Sequence, residues 1–371
     1  MDKIQIYKPY IPAVCSEYVV DAIKSGWISS SGKYVDLVQE VLCKKNKVKH
    51  VLLCNTGTAA CHLMAKAVVN KFGGHFPGCL MVPNNVFVAA WNAWIYDLKP
   101  NFIPMDADID TWNINLKNKL SNDWHDEVVL LCVHNVGNII NIPKIKREYP
   151  KLHIIEDNCE GFLGKYEGEP TGSQSFASAI SFFGNKTITC GEGGAFLTND
   201  DEAYKHAKHL WGQGMTEKRY VHDELGYNYR LTNLQAAFLF GQLEFLPDIM
   251  DKKQKLFDYY RAELPSEFVK TQKTEDGTQH SNWMMGVRVL GNSSYENVNS
   301  FMTDRGIEIR PMFYPMSTHK HLKKYSDTSK ETVATLLSKE CFMIPSHPEV
   351  TMEQREFVVK AVKEYSNKLH T

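Results

Sequence analysis

The sequence of 371 residues lacks the features that mark membrane, secreted and nucleic-acid-binding proteins. It has no apolar run near the roughly 18 residues that a membrane-spanning helix needs, and its first residues contain no signal-peptide core. The formal net charge is -1, and no basic run predicts a nucleic-acid-binding face. The nine cysteines are scattered without a CxxC pair, so we predict reduced thiols in a cytosolic protein. No spacing of cysteine and histidine predicts a metal site.

What the chain does contain is typical of an ordinary globular enzyme, with 43% hydrophobic and 23% charged residues. From Val51 onward, short and continuously apolar runs alternate with helix-like runs. This alternation predicts an α/β fold with a mostly parallel central sheet flanked by helices. The predicted strands of that sheet cover residues 51–54, 80–82, 101–104, 128–134, 153–156, 179–183 and 195–198. After Asp248 the chain becomes more charged, which predicts a large domain over 1–248 and a smaller α+β domain over 249–371.

Lys186 lies in a glycine-rich turn that follows a predicted strand. Gly184 precedes it and the stretch Gly191-Glu-Gly-Gly194 follows, and glycines let a backbone approach a ligand closely. A free lysine, with a pKa of about 10.4, is a poor nucleophile at neutral pH, but burial or a nearby cation frees its lone pair. The pattern therefore suits an amine that bonds to a carbonyl. Taken alone, it would equally suit a surface lysine in a flexible loop.

Two upstream segments favour a reactive Lys186 over a surface lysine in a flexible loop. Asp157 directly follows the predicted strand over 153–156, at the edge where open α/β sheets bind ligands, and could pair with a protonated ring nitrogen. Thr56, Gly57 and Thr58 open a helix whose first N–H groups favour a phosphate, although either threonine could simply cap the helix. Together, the lysine, the acid and the phosphate-binding start of the helix fit pyridoxal 5'-phosphate (PLP). This cofactor carries an aldehyde, a ring nitrogen and a phosphate.

The motifs along nearly the whole chain resemble those of the DegT/DnrJ/EryC1/StrS family of nucleotide-sugar aminotransferases. This family has the aspartate-aminotransferase fold of the type I PLP-dependent transferases. The motifs that carry the resemblance are Gly26-Trp-Ile-Ser-Ser-Ser-Gly32, Asn55-Thr-Gly-Thr-Ala-Ala60, Glu156-Asp-Asn-Cys-Glu160, Ser181-Phe-Phe-Gly-Asn-Lys186 with Gly191-Glu-Gly-Gly194, Gly226-Tyr-Asn-Tyr-Arg-Leu-Thr-Asn233, and Gly306-Ile-Glu-Ile-Arg310. Within the family, Gly212-Gln-Gly-Met215 and Arg310-Pro-Met-Phe-Tyr-Pro-Met316 are most similar to the branch that makes GDP-perosamine.

The resemblance implies a PLP site, to which it assigns Gly57, Thr58, Phe87, Asp157, Glu160, Ser181, Lys186 and Asn228. Lys186 would bond to the cofactor aldehyde and then shuttle a proton, while Asp157 would keep the ring nitrogen protonated. The phosphate would rest on Gly57 and Thr58, with Ser181 beside them. By the same resemblance, an aromatic ring at position 87 would stack on the cofactor and an acid at position 160 would reach its ring hydroxyl. Otherwise these two residues would be a core phenylalanine and a turn acid.

The resemblance also implies a homodimer with shared active sites, because Asn228 matches a family position that reaches the neighbouring subunit's phosphate site. For the nucleotide sugar it suggests Trp27, Ser29, Arg310 and Tyr314, each of which could equally serve packing or a surface ion pair. An arginine can pair with a diphosphate through two hydrogen bonds. Two departures from the family pattern, Val86 and Asn135-Val-Gly-Asn138, concern local details of the cofactor pocket.

The reaction that the resemblance implies is transamination of a nucleotide-linked 4-keto-6-deoxyhexose to its 4-amino-4,6-dideoxy sugar. The substrate would be GDP-4-keto-6-deoxymannose or dTDP- or UDP-4-keto-6-deoxyglucose, and L-glutamate would convert the cofactor to pyridoxamine 5'-phosphate. One alternative is a sugar 3-dehydratase on the same scaffold, in which the family has histidine in place of Lys186. The others are a PLP-binding regulator without turnover, and a nucleotide-binding module built on 55–60, which lacks the P-loop lysine.

Overall fold

The structure is a computed structural model that describes residues 3–76, 78–117, 128–291, 293–326 and 332–370. Its helices are α1 Ala13–Ser25, α2 Lys33–Asn46, α3 Gly57–Lys71, α4 Ala89–Ile95, α5 Ile142–Glu148, α6 Asp201–Trp211, α7 Asn233–Glu244, α8 Leu246–Glu263, α9 Tyr295–Thr303, α10 Val333–Glu340 and α11 Met352–His370. Its strands are β1 His50–Cys54, β2 Cys79–Pro83, β3 Phe102–Met105, β4 Val128–Val133, β5 His153–Asp157, β6 Lys165–Tyr166, β7 Glu169–Pro170, β8 Ala177–Ser181, β9 Gly194–Thr198, β10 Val269–Thr271, β11 Thr278–Gln279, β12 Met285–Val289, β13 Arg310–Pro311 and β14 Cys341–Ile344.

A seven-stranded sheet in the order β1-β9-β8-β5-β4-β2-β3 forms the centre of the fold. The pairs from β8 to β3 are parallel, and β9 runs antiparallel to both of its neighbours. The prediction of a mostly parallel sheet is therefore confirmed. The strands lie close to their predicted bounds, with the largest shift at β8, which spans Ala177–Ser181 instead of 179–183.

Helices cover both faces of this sheet, which explains why its strands are apolar without alternation. In β1, Leu52 and Cys54 pack with residues of α3, α4 and α6 on one face. Val51 and Leu53 pack with α1, α2 and α7 on the other face. No helix within the described ranges is long and apolar enough to cross a lipid bilayer.

A second, four-stranded sheet follows in the order β10-β12-β14-β13, and all of its described pairs are antiparallel. It shares an apolar core with α8, α9 and α11. The predicted boundary between residues 248 and 249 lies inside α8, which begins with Pro247 in its first turn. Proline is tolerated there because the first N–H groups of a helix have no partner within the helix. The remaining strands form a small sheet in the order β11-β6-β7.

The parallel strands end at one edge of the central sheet, and predicted site residues lie at these ends or just after them. The register pairs Cys54 with Gly194 and Gly194 with Ser181, so the ends of β1 and β8 flank the start of β9. Asp157 pairs with Ala179 one strand further along. Gly194 is required at this point, since an added Cβ would lie 2.5 Å from the Thr56 carbonyl oxygen.

Candidate active site

A cavity of about 630 Å³ lies at this edge of the sheet. The described residues of the second sheet and its neighbouring loops close its opposite side. The predicted site residues that line it are Gly57, Thr58, Phe87, Asp157, Glu160, Ser181, Lys186, Arg310 and Tyr314. Folding thus brings into one cavity residues that are spread over most of the length of the chain.

Lys186 is held in a hydrogen-bonded turn just beyond β8. Its backbone N–H donates to the Phe183 carbonyl at 2.9 Å, and its own carbonyl accepts from the Tyr7 hydroxyl at 2.7 Å. The amine lies 4.0 Å from the ring centroid of Trp283, whose indole N–H donates to the Asn185 carbonyl at 2.8 Å. The Lys186 amine forms no ion pair within the described part of the chain. A lysine whose backbone is held in place, and whose amine forms no ion pair with a described residue, is available to react with a carbonyl.

Asp157 is 6% exposed and ends β5 at the floor of the cavity. One of its carboxylate oxygens accepts from the Cys159 backbone N–H at 3.1 Å, and the other lies 3.7 Å from the Cys61 sulfur. No cationic side chain in the described ranges pairs with it. A buried carboxylate is costly without a positive partner, so this one fits a protonated ring nitrogen.

The start of α3 forms a cradle suited to a phosphate. The Thr56 hydroxyl accepts from the Ala59 N–H at 3.0 Å and so caps the helix, as one of the two sequence interpretations predicted. Gly57 and Thr58 follow it, and their N–H groups are among those that have no acceptor within the helix. A Cβ on Gly57 would lie 2.7 Å from the Ser181 Cβ, so glycine allows the serine to close the cradle. Thr56 can therefore cap the helix while the N–H groups of Gly57 and Thr58 remain available to bind a phosphate.

Phe87 and Glu160 also face this cavity. Phe87 is 56% exposed and precedes α4, so it does not pack in the core. Glu160 is buried, and its carboxylate accepts from the Val136 N–H at 2.7 Å. Burial raises the pKa of Glu160 to about 7, although the nearby Lys186 cation opposes the shift. This acid therefore exchanges a proton readily near neutral pH.

Trp27, Ser29 and Asn228 do not line this chain's cavity, and their roles stay predictions. Trp27 is 62% exposed, and its carbonyl accepts from the Asn233 side chain at 2.6 Å. The Asn233 backbone N–H donates to the Ser29 carbonyl at 2.5 Å. Asn228 forms an isolated β-bridge with Gly212.

Several residues that support the site have no signal in the sequence. Tyr7 is 179 positions from the lysine whose carbonyl it contacts, and Trp283 is 98 positions from its partner Asn185. Behind Trp283, the amine of Lys253 donates to the Trp283 carbonyl at 2.9 Å and to the Ser346 carbonyl at 2.7 Å. These contacts connect residues that lie between 30 and 179 positions apart, so local patterns do not reveal them.

Lys253 gives a pH-dependent prediction, because its side chain is fully buried and burial lowers its pKa to about 7. Between that value and the unfolded pKa of about 10.4, the unfolded chain binds one proton more than the folded chain. The Lys253 contribution to the free energy of unfolding should therefore rise with pH by up to about 1.4 kcal/mol per unit. Urea unfolding of wild type and Lys253→Met from about pH 7 to about pH 8.5 measures it. Ionisation of the unfolded cysteines, which have a pKa of about 8.5, is common to both proteins and cancels in the difference.

The difference in free energy of unfolding between wild type and Lys253→Met should change along this pH series. Lys255→Met is the matched control, because Lys255 lies on the same helix in an exposed ion pair with Asp251. Its difference from wild type should stay nearly constant. Parallel pH curves for wild type and Lys253→Met would contradict the shifted lysine.

Comparison with known proteins assigns this site to a family. The sequence profile of the DegT/DnrJ/EryC1/StrS aminotransferase family matches residues 10–363. The chain belongs to this family. It is therefore a PLP-dependent aminotransferase, and the family, fold class and cofactor predicted from the sequence are confirmed.

Individual relatives match over almost their full lengths. The chain is 32% identical to the GDP-perosamine synthase of Escherichia coli O157:H7, covering 99% of this chain and 100% of that protein. It is 30% identical to the GDP-perosamine synthase of Vibrio cholerae, covering 98% and 99%. Among solved structures, Helicobacter pylori PseC, an aminotransferase of pseudoaminic acid biosynthesis, superposes with a TM-score of 0.87 at 20% identity, covering 99% of this chain and 100% of that chain. The last likeness shows a shared fold.

Proposed function

We propose that the protein transfers the amino group of L-glutamate to the C4 ketone of a GDP-linked 4-keto-6-deoxyhexose. GDP-4-keto-6-deoxymannose is the substrate that this proposal favours, and the product is the 4-amino-4,6-dideoxy sugar. The observation that carries the proposal is that the Lys186 amine and the buried Asp157 carboxylate share one cavity, and that neither forms an ion pair with a described residue. The two full-length relatives named GDP-perosamine synthase support GDP as the nucleotide.

Each cofactor contact in this proposal follows from a donor or acceptor in the cavity. PLP, when bound, supplies an electron-poor ring that stabilises negative charge on the adjoining carbon. Lys186 would hold the aldehyde and, when its amine is free, would move a proton at the reacting carbon. Asp157 would accept a hydrogen bond from the ring nitrogen. Gly57 and Thr58 would hold the phosphate through hydrogen bonds to a charged group, which are stronger than those between neutral groups.

Lys186 also supports transamination over the alternative activities. The dehydratase branch of the family has histidine at this position, whereas this chain has lysine. The intact set of Asp157, Ser181, Lys186 and Gly191-Glu-Gly-Gly194 disfavours a PLP-binding regulator without turnover. Specific contacts hold two members of this set, through Tyr7 for the lysine and through the Cys159 N–H for the acid.

Arg310 and Tyr314 are the proposed contacts to the nucleotide sugar from the second sheet and its following loop. Both line the cavity, and Arg310 forms no ion pair with any described acidic residue. A guanidinium that is free of carboxylates suits a diphosphate, to which it can donate two parallel hydrogen bonds. Trp27 and Ser29 remain proposed contacts to the nucleotide sugar, although neither lines the cavity of its own chain.

The active protein is proposed to be a homodimer in which Asn228 completes the partner's phosphate site. Asn228 lies outside the cavity of its own chain, between the exposed apolar residues Tyr220 and Leu225 and the start of α7. Leu225 is 82% exposed. Exposed apolar side chains such as these two, which are close to Asn228 in the sequence, favour burial against another subunit.

The decisive experiment supplies the purified protein with L-glutamate and each 4-keto-6-deoxyhexose on GDP, dTDP or UDP. Turnover with the GDP sugar, giving equal amounts of 2-oxoglutarate and amino sugar, is the expected result. Turnover with only the dTDP or UDP sugar would overturn the choice of nucleotide. Loss of the sugar's 3-hydroxyl would indicate a dehydratase, and a cofactor spectrum unchanged by glutamate would indicate a regulator. Full activity of a diluted monomer would contradict the shared site.

A further inference from the structure

Two cysteines flank Asp157 beneath the cofactor cavity. Cys61 lies on α3, and Cys159 follows the end of β5 by two residues. One ligand atom from each of these three side chains lies within 4.8 Å of the other two. Cys61 is 96 positions from Asp157, so no sequence spacing predicts a metal site here. The grouping is produced by the packing of α3 against the central sheet.

The geometry of this trio is close to that of a tetrahedral metal site. Zinc–thiolate distances of about 2.3 Å and zinc–carboxylate distances of about 2.0 Å imply a sulfur–oxygen separation of about 3.5 Å. The Cys61 sulfur and the nearer Asp157 oxygen are 3.7 Å apart. An ion could therefore bridge them with little movement of either side chain.

An ion can reach this position from the cavity. Asp157 and Cys159 line the cavity, whereas Cys61 lies behind them and is almost fully buried. The site is thus open on one side, which leaves a position for a water ligand. Two thiols and one carboxylate favour a thiophilic divalent cation over magnesium or calcium, which prefer oxygen ligands alone.

Metal binding at this trio requires both thiols to lose their protons, because the thiolate is the form that binds a metal ion. A bound divalent cation supplies the positive charge that favours this loss.

We propose that the PLP-free protein binds one thiophilic divalent cation, such as Zn²⁺, through Cys61, Asp157 and Cys159. The two thiol protons pass to solvent, and the carboxylate, two thiolates and one water complete four-coordination. The ion and PLP exclude each other, because both need Asp157. This exclusion rests on the proposed contact between Asp157 and the cofactor ring, whereas the metal site does not. Free zinc would then block cofactor uptake but spare protein that is already loaded.

The test titrates the full-length protein, after removal of PLP, with Zn²⁺ in a calorimeter and with Cd²⁺ in a spectrophotometer. We expect one ion per chain, release of protons, and ultraviolet absorption from cadmium–thiolate bonds. Cys61→Ala and Cys159→Ala should each weaken binding by about 100-fold or more, since even indirect contacts to a metal ligand contribute 10- to 100-fold. Cys43→Ala is the matched control, because Cys43 is a half-exposed thiol on α2.

A competition experiment adds PLP to the PLP-free protein before the zinc titration. The apparent zinc affinity should fall as the PLP-loaded fraction rises. Equal zinc affinity in wild type and both cysteine variants would overturn the metal site. Zinc binding that depends on the cysteines but not on PLP would retain the metal site and overturn the contact of Asp157 with the cofactor. Circular dichroism of each variant establishes that it is folded. If Cys61→Ala does not fold, Cys159→Ala carries the test, since Cys159 lies at the cavity wall.

Discussion

Replacing Lys186 with alanine is expected to lower the rate of the glutamate half-reaction by about 10⁴-fold, the upper range for loss of a positioned acid–base group. The variant loses both the amine that bonds to the cofactor aldehyde and the group that moves the proton. The neighbouring contacts from Tyr7 to the Lys186 carbonyl and from Trp283 to the Asn185 carbonyl involve backbone atoms, so the turn should persist. Rapid mixing with glutamate, followed through the cofactor absorption, measures the rate.

A second variant at position 186 distinguishes covalent bonding from positive charge, and a variant at an exposed lysine serves as the control. Lys186→Arg keeps a cation but cannot bond to the aldehyde, so it should be as inactive as the alanine variant. Lys151→Ala changes an exposed lysine and should match wild type. Borohydride should attach a pyridoxyl group to wild type and to the Lys151 variant alone. A pyridoxyl group on Lys186→Ala, or a rate near that of wild type, would contradict the assignment.

Replacing Asp157 with alanine is expected to leave PLP bound but to slow the half-reaction by about 100-fold. A hydrogen bond to a charged group contributes about 1.5–3 kcal/mol, which changes the pKa of the ring nitrogen by one or two units at about 1.36 kcal/mol each. The upper end applies because Asp157 is only 6% exposed and no described cation competes for it. Without this acid the ring loses its proton and withdraws electrons less effectively.

The measurement pairs cofactor retention with the rate of the half-reaction, because a folding defect would reduce both. Asp251→Ala is the control, since Asp251 is an exposed residue paired with Lys255 on α8. It should retain both the cofactor and the rate. Wild-type turnover by Asp157→Ala would refute the role of the acid. Loss of bound PLP with a normal rate in the remaining loaded fraction would assign Asp157 to binding alone.

Much of the fold could be predicted because its signals are local. A strand that is covered on both faces must be apolar at every position, so each strand of the central sheet is visible as a short apolar run. Parallel strands end at the same edge, so residues such as Asp157 and Lys186, which follow such runs, could be expected to converge. The glycines around Lys186 likewise indicate a close approach of the backbone to a ligand, because glycine has no side chain to obstruct it.

The sequence by itself thus determined the fold class, the family and the cofactor, since each depends on motifs that span a few neighbouring residues. Only the tertiary structure decided that Trp283 lies beside the Lys186 amine and that the buried Lys253 amine donates to the Trp283 carbonyl. The same is true of the contact between Cys61 and Asp157. These contacts join residues that are remote in the chain. Their distances depend on how whole helices and sheets pack, and side-chain packing of that kind leaves no periodic pattern in a single sequence.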